Sequence, residues 1–433
     1  MAKSQKPEFI RLLFPTLLGS TKCLEISYDR LDEVLNDGAF FDGSSVPGYA
    51  PVNCSDMLLR PMLDLPLVLP YDTATALMPC RICDTDGRPH PMDPVAVLER
   101  ITEQGASRNV RLMAGCELEF FLVRLDSASG SVLPCDQGEY MSAVPADGGL
   151  NLRRMAVRSL DRMAVHTSAH HHEVAHGQQE IVLRHADAIT SALNVMLAKH
   201  VIADLARRQG LIATFMAKPF AAQNGSGMHV HQSLWDTRTE TNLFASDEKS
   251  VLSETGVHYV NGILEHAPAL SAIVAPTVNS YKRLVPGFEA PTMIAWGPSN
   301  RTTMIRVPHF NGSQDRARIE YRCPDPSCSP FLALAGILAA GIDGVEREAA
   351  FRSATSQDLY HMTSACETLP GSLLEAIDSL VTDKTMSHGL GTQLVSQLSH
   401  LKTREWEDYS SHVKEPYTSD VTPWELNSYL ASA

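Results

Sequence analysis

Glu117 and Glu119, two residues apart in the run GCELEFF, are the first residues here that could do chemistry together. Side chains alternate along a strand, so both acids point to one face while Leu118 and Phe120 point to the other. Two carboxylates side by side repel unless a cation or solvent separates them, and alone the pair reads as a solvated strand face. The pattern recurs, which changes that reading. His172-Glu173 opens a strand expected to run through Gly177 to Glu180. The run MHVHQS places His229, His231 and Ser233 on one strand face, and IEYR adds Glu320 with Arg322 beside it. Bulky apolar residues occupy the other face of each strand, as a sheet with one packed side requires. Carboxylates with a single imidazole form a hard, oxygen-rich donor set, suited to Mg²⁺ or Mn²⁺ rather than zinc or copper. Such ions commonly bridge nucleotide phosphates. Successive residues of a strand cannot all face one ion, so only part of the triplet His170-His171-His172 is expected near the centre.

A second concentration lies between 281 and 322, with Arg283, Arg301, Arg306, Arg316, Arg318 and Arg322. The guanidinium fork binds carboxylate and phosphate in bidentate fashion. About half of these arginines are assigned to pairs with surface acids, which add little stability; beside a hard-metal site the others read as handling anions. No glycine-rich phosphate loop follows a strand, so a nucleotide has to be held by metals and arginines. The run QNGSGMH, 223–229, is the one glycine-bearing turn leading into a candidate ligand, and it reads equally as an ordinary turn.

These residues need elements to position them. Residues 8–13 and 22–27 read as strands around a turn at Leu18-Gly19-Ser20, with a short helix over 31–36. The stretch 38–66, dense in Gly, Ser, Asp and Pro, reads as a long functional loop. From Pro94 long helices alternate with short strands. Asp93 caps and Pro94 opens a helix over 95–104, and further helices are expected over 152–166, 191–209, 330–350 and 372–381. Strands are expected over 116–123, 170–175, 212–216, 228–234, 302–307 and 318–322. The change of texture divides the chain into a small strand-rich unit, 1–95, and a larger one, 96–433.

Composition narrows the partners. The 433 residues are 44% hydrophobic, enough for two domains with a large core, and 36 Lys+Arg against 50 Asp+Glu leave a formal charge of −14. That excludes a nucleic-acid backbone or an anionic membrane as the main partner. No signal-peptide pattern and no apolar run of about 18–20 residues is present, so the cytoplasm is the expected compartment. Nine scattered cysteines give no disulfide framework, and the lone pair Cys80 and Cys83 reads as two packed strand residues.

The segments FFDGSSVPGY, GCELEFFLV, HHHEVAHGQQEI, NGSGMHVHQSL, NSYKRLVPGFEAP, NRTTMIR and RIEYRCPDP occur in this order, and with them the chain closely resembles type I glutamine synthetase, of the short, non-adenylylated subclass. The resemblance implies an α+β protein with an N-terminal β-grasp-like domain and a C-terminal catalytic domain built on a curved antiparallel sheet with helices. It implies two stacked hexameric rings, a dodecamer with each active site between neighbouring subunits. It also implies ATP-dependent ligation of ammonium to the γ-carboxylate of glutamate through γ-glutamyl phosphate. By the same likeness Glu119, Glu173 and Glu180 hold one divalent ion and Glu117, His229 and Glu320 a second. Arg283, Asn224 and Gly225 hold the amino acid, Arg301 and Arg322 steady the transferring phosphoryl group, and Arg306, Arg318, His231 and Ser233 fall where ATP is held. Asp42 with Ser45, from the adjacent subunit, takes the ammonium proton; Tyr140, Glu173 and Glu289 complete the cation site, and Glu289 rides on a loop that excludes water.

Departures from the family pattern are Ser329-Pro330-Phe331, His185, Met216-Ala217-Lys218-Pro219 and Ala192-Leu193-Asn194. Pro51 stands where short members often carry an arginine, so feedback by glutamine through that residue is not expected. No adenylylation is expected at Tyr360. Branches that use larger amines commonly lose the FDGSS aspartate; Asp42 is intact, which favours ammonia over the alternative, a γ-glutamyl ligase for a small organic amine. A silent ring serving as scaffold would have lost metal ligands, and all six are present.

Overall fold

The computed structural model describes residues 6–246, 252–361 and 367–432. The chain opens with β1 (Phe9–Pro15), β2 (Thr21–Ser27), α1 (Leu31–Asp37), β3 (Ala39–Asp42), β4 (Asp56–Pro61), β5 (Leu67–Leu69) and β6 (Asp72–Cys83). These strands form a six-stranded sheet in the order β2-β1-β6-β4-β3, with β5 on β6; β1 and β6 are parallel and the other pairs antiparallel. The stretch 38–66 is therefore not all loop. β3 and β4 pair from Ala39 opposite Leu59 to Asp42 opposite Asp56, because Ala39, Met57, Leu58 and Leu59 bury their side chains while the intervening Gly, Ser and Pro mask the alternation in the sequence.

The larger unit begins at α2 (Pro94–Ser107), whose first turn is capped by Asp93 accepting from the Ala96 N–H at 3.0 Å. There follow β7 (Val110–Leu125), β8 (Val132–Pro134), α3 (Leu150–Arg162), β9 (Thr167–His172), β10 (Gln178–Leu183), β11 (Ala186–Asp187), α4 (Ala188–Arg208), β12 (Ile212–Thr214), β13 (Met228–Asp236) and β14 (Thr241–Asn242). Next come α5 (Glu254–Glu265), α6 (Ala267–Val274), α7 (Ser280–Arg283), β15 (Trp296–Pro298), β16 (Ile305–Val307) and β17 (Ile319–Tyr321). The chain ends in α8 (Pro330–Glu346), α9 (Leu373–Thr382), α10 (Lys384–Leu390), α11 (Thr392–His412) and α12 (Pro423–Tyr429). The second sheet has 11 strands and the path β15-β16-β17-β13-β7-β10-β9. It is antiparallel except for the edge pair β15 and β16.

One apolar face of this sheet is covered by helices. α8 is buried along most of its length and packs against α2, α4, α5, α6 and α10. Its start carries the departure noted above: Ser329 caps the helix, Pro330 takes its first turn, and Phe331 is fully buried, where truncation to Ala costs about 3–5 kcal/mol. Gly262 and Gly344 bring α5 and α8 into backbone contact; a Cβ on Gly344 would lie 2.4 Å from the His258 carbonyl oxygen. α4 is long and apolar enough to cross a bilayer, yet most of that apolar window is buried inside the protein. Cys80 and Cys83 are buried on β6, and the eight cysteines among the described residues are all unpaired.

Candidate active site

Strand register assembles the site. Glu119 on β7 lies opposite Glu180 on β10, and Glu180 lies opposite His171 on β9. On the other side of β7, Glu117 lies opposite His229; two residues along β13, His231 lies opposite Glu320 on β17, which in turn faces Arg306 on β16. Residues directly opposed in a sheet project to the same side, and so do residues two apart on a strand. The pairings therefore force one continuous row of acids and imidazoles across β9, β10, β7, β13 and β17. No local signal could set this row, because its members come from segments as far apart as Glu117 and Glu320.

Glu173 departs from the expected strand. β9 ends at His172, and Glu173 opens the turn into β10, its N–H donating to the Gln178 carbonyl at 2.9 Å. Gly177, at φ +73°, closes that turn. From there Glu173 lines the same cavity and meets His171 at 3.5 Å without belonging to the row.

His171, Glu180, Glu119, Glu117 and His229 of this row line a cavity of about 570 Å³, whereas His231 and the fully buried Glu320 lie outside its wall. Its wall includes Glu117, Glu119, Glu173, Glu180, His229, Asn224, Gly225, Tyr140, Arg283, Arg301, Arg322 and Glu289. Ser233 is buried outside that wall, accepting from Trp235 Nε1 at 3.0 Å. His231 lies 2.8 Å from Glu117 and accepts from Arg318 Nε at 3.3 Å. Arg306 pairs with Glu320 from the far side. Asp42 and Ser45 also lie outside the wall of their own chain's cavity. Asp42 is exposed at the end of β3, where its carboxylate accepts from the Ser44 N–H (2.9 Å), the Ser44 hydroxyl (2.6 Å) and the Ser45 hydroxyl (2.6 Å). Those bonds hold its pKa below the ordinary value.

Of the six arginines, Arg301 and Arg316 are exposed, Arg316 on a 3₁₀ turn. Arg283 is buried and donates to the carbonyls of Cys323 (2.8 Å) and Arg322 (3.0 Å). Arg322 donates to Glu320 at 2.6 Å, and its buried Nε has no hydrogen-bond partner among the described residues. That leaves a directed donor for an anion.

Two donor groups lie close enough to grip one ion each: Glu117 with His231 and Glu320, and His171 with Glu173 and Glu180, their ligating atoms within 4.8 Å of one another. Glu119 accepts from the Gly227 N–H (2.8 Å) and Gln178 Nε2 (3.1 Å) between the groups. His229 Nδ1 stands 3.0 Å from Glu117, 3.7 Å from Glu119 and 3.8 Å from Glu320. The charges are unbalanced. Burial, then Glu173 and Glu180, push Glu119 well up; burial, then Glu180, raise Glu173 to about 7. Burial raises Glu180 too, against the hydrogen bond from His171. Burial would also raise Glu117 and Glu320, but His229 and His231 hold Glu117 far down, and Arg322 holds Glu320 at about 2. Burial and Arg322 lower His229 to about 4, keeping it the neutral imidazole a metal needs. Crowded carboxylates that resist ionisation beside a neutral imidazole fit hard divalent cations.

Sequence reasoning missed His171 and Gln178. The first was within reach: one member of the histidine triplet had to face the row, and only the β9–β10 register selects it. His170 instead contacts Arg153, and His172 pairs with Asp136 at 2.9 Å. Gln178 Nε2 links Glu119 to the Gly225 carbonyl, a contact with no sequence signature.

Acid and imidazole groups that could hold cations share a cavity with arginines on the 11-stranded sheet, and the comparisons define the class: the chain belongs to the glutamine synthetase family. Residues 91–429 match the family model "Glutamine synthetase, catalytic domain" and residues 6–85 match "Glutamine synthetase, beta-Grasp domain". The glutamine synthetase of Pyrococcus abyssi is 38% identical over 437 residues, covering 99% of this chain and 97% of its own. That of Thermotoga maritima is 39% identical over 440 residues, with coverage of 99% and 97%. A solved structure described as a GmaS/ADP complex superposes with a TM-score of 0.87 at 30% identity, covering 99% of this chain and 97% of that one.

Proposed function

We propose that this chain is a glutamate–ammonia ligase, forming glutamine from glutamate, ammonium and ATP through γ-glutamyl phosphate. One observation carries the reading: the strand register lines glutamates and imidazoles across one sheet face, and Glu117, Glu119, Glu180 and His229 of that row share one cavity with Arg283, Arg301 and Arg322. Glu119, Glu173 and Glu180 form one divalent-cation site and Glu117, His229 and Glu320 the other, with His171 and His231 beside them. Bound there, Mg²⁺ or Mn²⁺ supplies charge neutralisation at ATP phosphates.

A carboxylate is a poor target for ammonia because its leaving group is poor, and phosphorylation supplies a good one. Arg283, Asn224 and Gly225 orient glutamate, while Arg301 and Arg322 stabilise charge on the transferring phosphoryl group. Arg306, Arg318, His231 and Ser233 form the nucleotide side. Ammonium must lose a proton to attack, and Asp42, steadied by Ser45, accepts it. Because Asp42 is exposed outside its own cavity, the reading requires a neighbouring copy to supply it, as two stacked hexameric rings would. Tyr140, Glu173 and Glu289 hold the ammonium, and the Glu289 loop excludes water. Residues 1–95 form the β-grasp unit and 96–433 the catalytic unit, acting in the cytoplasm.

The test is ADP release with glutamate plus ammonium, measured against methylamine, ethanolamine and putrescine. Ammonium is expected to be preferred, since Asp42 occupies the space a larger amine needs. Strong preference for an organic amine overturns the substrate assignment.

A further inference from the structure

The loop 286–290 closes one side of the cavity with Phe288 and Glu289. Glu289 sits at φ +54°, a left-handed conformation strained for a residue with a side chain, so its position has to be enforced. Three contacts do this. Asn224 Nδ2 donates to Glu289 Oε2 at 2.8 Å, Arg322 Nη2 donates to the Glu289 carbonyl oxygen at 3.4 Å, and the Lys218 ammonium sits 3.2 Å from the centre of the Phe288 ring. Asn224 and Arg322 belong to the cavity wall; Lys218 does not.

Lys218 is a fixed post. It is buried, its N–H donates to Asn279 Oδ1 at 2.7 Å, and its carbonyl accepts from Asn279 Nδ2 at 2.9 Å. The same Asn279 amide donates to Glu425, a fully buried carboxylate in the capping box of α12. The Lys218 ammonium also donates to the Gln223 carbonyl, and no described carboxylate pairs with it. Burial, then Arg283, lower its pKa to about 8, which leaves it mostly charged at neutral pH. A desolvated ammonium on an aromatic face, with no anion to compete for it, is where cation–π attraction is strongest.

We propose that Lys218 is a positioning residue: its ammonium, seated on Phe288, holds the 286–290 loop over the cavity so that Glu289 stays against Asn224 and water is kept from the activated glutamate. This role rests on the glutamine-forming reading above. An open loop admits water, whose oxygen attacks the acyl carbon of γ-glutamyl phosphate. The bond from that carbon to the bridging oxygen breaks, phosphate leaves with the electron pair, a proton passes to solvent, and glutamate is regenerated. ATP is then spent without amide.

The test uses the full assembled protein with Lys218→Met, which keeps the side chain's length and removes its charge. Expected is an about tenfold rise in glutamate-dependent phosphate release without ammonium, relative to amide formation, and an about tenfold faster amide exchange over 286–290. The melting temperature should not move. Lys218→Arg should restore both readouts and Phe288→Leu should reproduce the loss. Wild-type coupling and wild-type exchange in Lys218→Met overturn the role. If that variant does not fold, Phe288→Leu decides alone: unchanged coupling and exchange overturn it, and a loss of both upholds it. A wild-type protein that makes no glutamine overturns the reaction assignment, while the exchange measurement still decides whether Lys218 holds the loop.

Discussion

His171 Nε2 stands 3.2 Å from a carboxylate oxygen of Glu180, directly across the β9–β10 hairpin, and its Nδ1 lies 3.5 Å from Glu173. One imidazole thus ties a strand acid to a turn acid that the backbone alone would leave loose. The hydrogen bond to Glu180, outweighing burial, raises the His171 pKa to about 9.

His171→Gln removes the imidazole while keeping a polar side chain. The Mg²⁺ concentration for half-maximal glutamine formation should rise about 10–100-fold, the usual loss when a group that orients metal ligands is removed. Titrating Mg²⁺ at saturating substrates measures it, and an unchanged midpoint sinks the assignment.

Glu119 is buried against Glu173 and Glu180, so ionising all three opposes folding when no cation is bound. In chelator at neutral pH, Glu119→Gln should therefore melt about 2 °C higher than wild type. Added Mg²⁺ should raise the wild-type melting temperature strongly and the variant's little, and activity should be lost. A variant that melts lower in chelator contradicts the charge argument.

Asp42 lies on the small sheet and Arg322 in the cavity of the larger unit. Asp42→Ala should retain acyl-phosphate formation while amide formation falls about 100-fold or more, in the range of losing a general base. Arg322→Ala should lose both. If a neighbouring chain supplies Asp42, co-assembled subunits of the two variants regain about a quarter of wild-type activity, because such a pair combines an intact cavity with an intact Asp42. No recovery on co-assembly would falsify the shared site.

His266 is buried between Asp383 (2.6 Å from Nδ1) and Asp343 (3.0 Å from Nε2), tying the start of α6 to α8 and α10. Burial alone would lower its pKa, but the two carboxylates outweigh it and raise it above 6.5; both aspartates, against burial, are held below 3.8. The histidine's contribution is thus fully present below about pH 6.5 and is lost as pH rises through its raised folded value. The aspartates' contribution is present above their ordinary value and is lost as pH falls through their depressed one. His266→Gln should cost about 1–3 kcal/mol near pH 5.5 and progressively less in more alkaline solution. Denaturant unfolding across pH checks this; a penalty that grows with pH contradicts it.

Much of this protein was legible locally. Alternation put Glu117 with Glu119 and His229 with His231 on shared faces, Asp93-Pro94 marked a helix start, and helical spacing of apolar residues predicted the helix over 330–350, which runs Pro330–Glu346. These depend on backbone geometry within a few residues, which the sequence dictates. Glu173 was placed on a strand although it opens a turn, because the hairpin's reversal depends on how β10 pairs with β7. The β3–β4 pair was hidden for a similar reason: burial against α1 and β6, not local propensity, makes strands of that polar stretch.

The sequence by itself determined which groups could bind cations and anions and which face of each strand they occupy. Only the tertiary structure decided that Glu180, Glu119, Glu117, His229 and Glu320 stand in one row, that His171 joins them, and that Asp42 stands apart from its own cavity. The physical reason is that side-chain alternation is fixed within a strand, whereas register between distant strands is fixed by the burial and hydrogen bonding of the whole sheet.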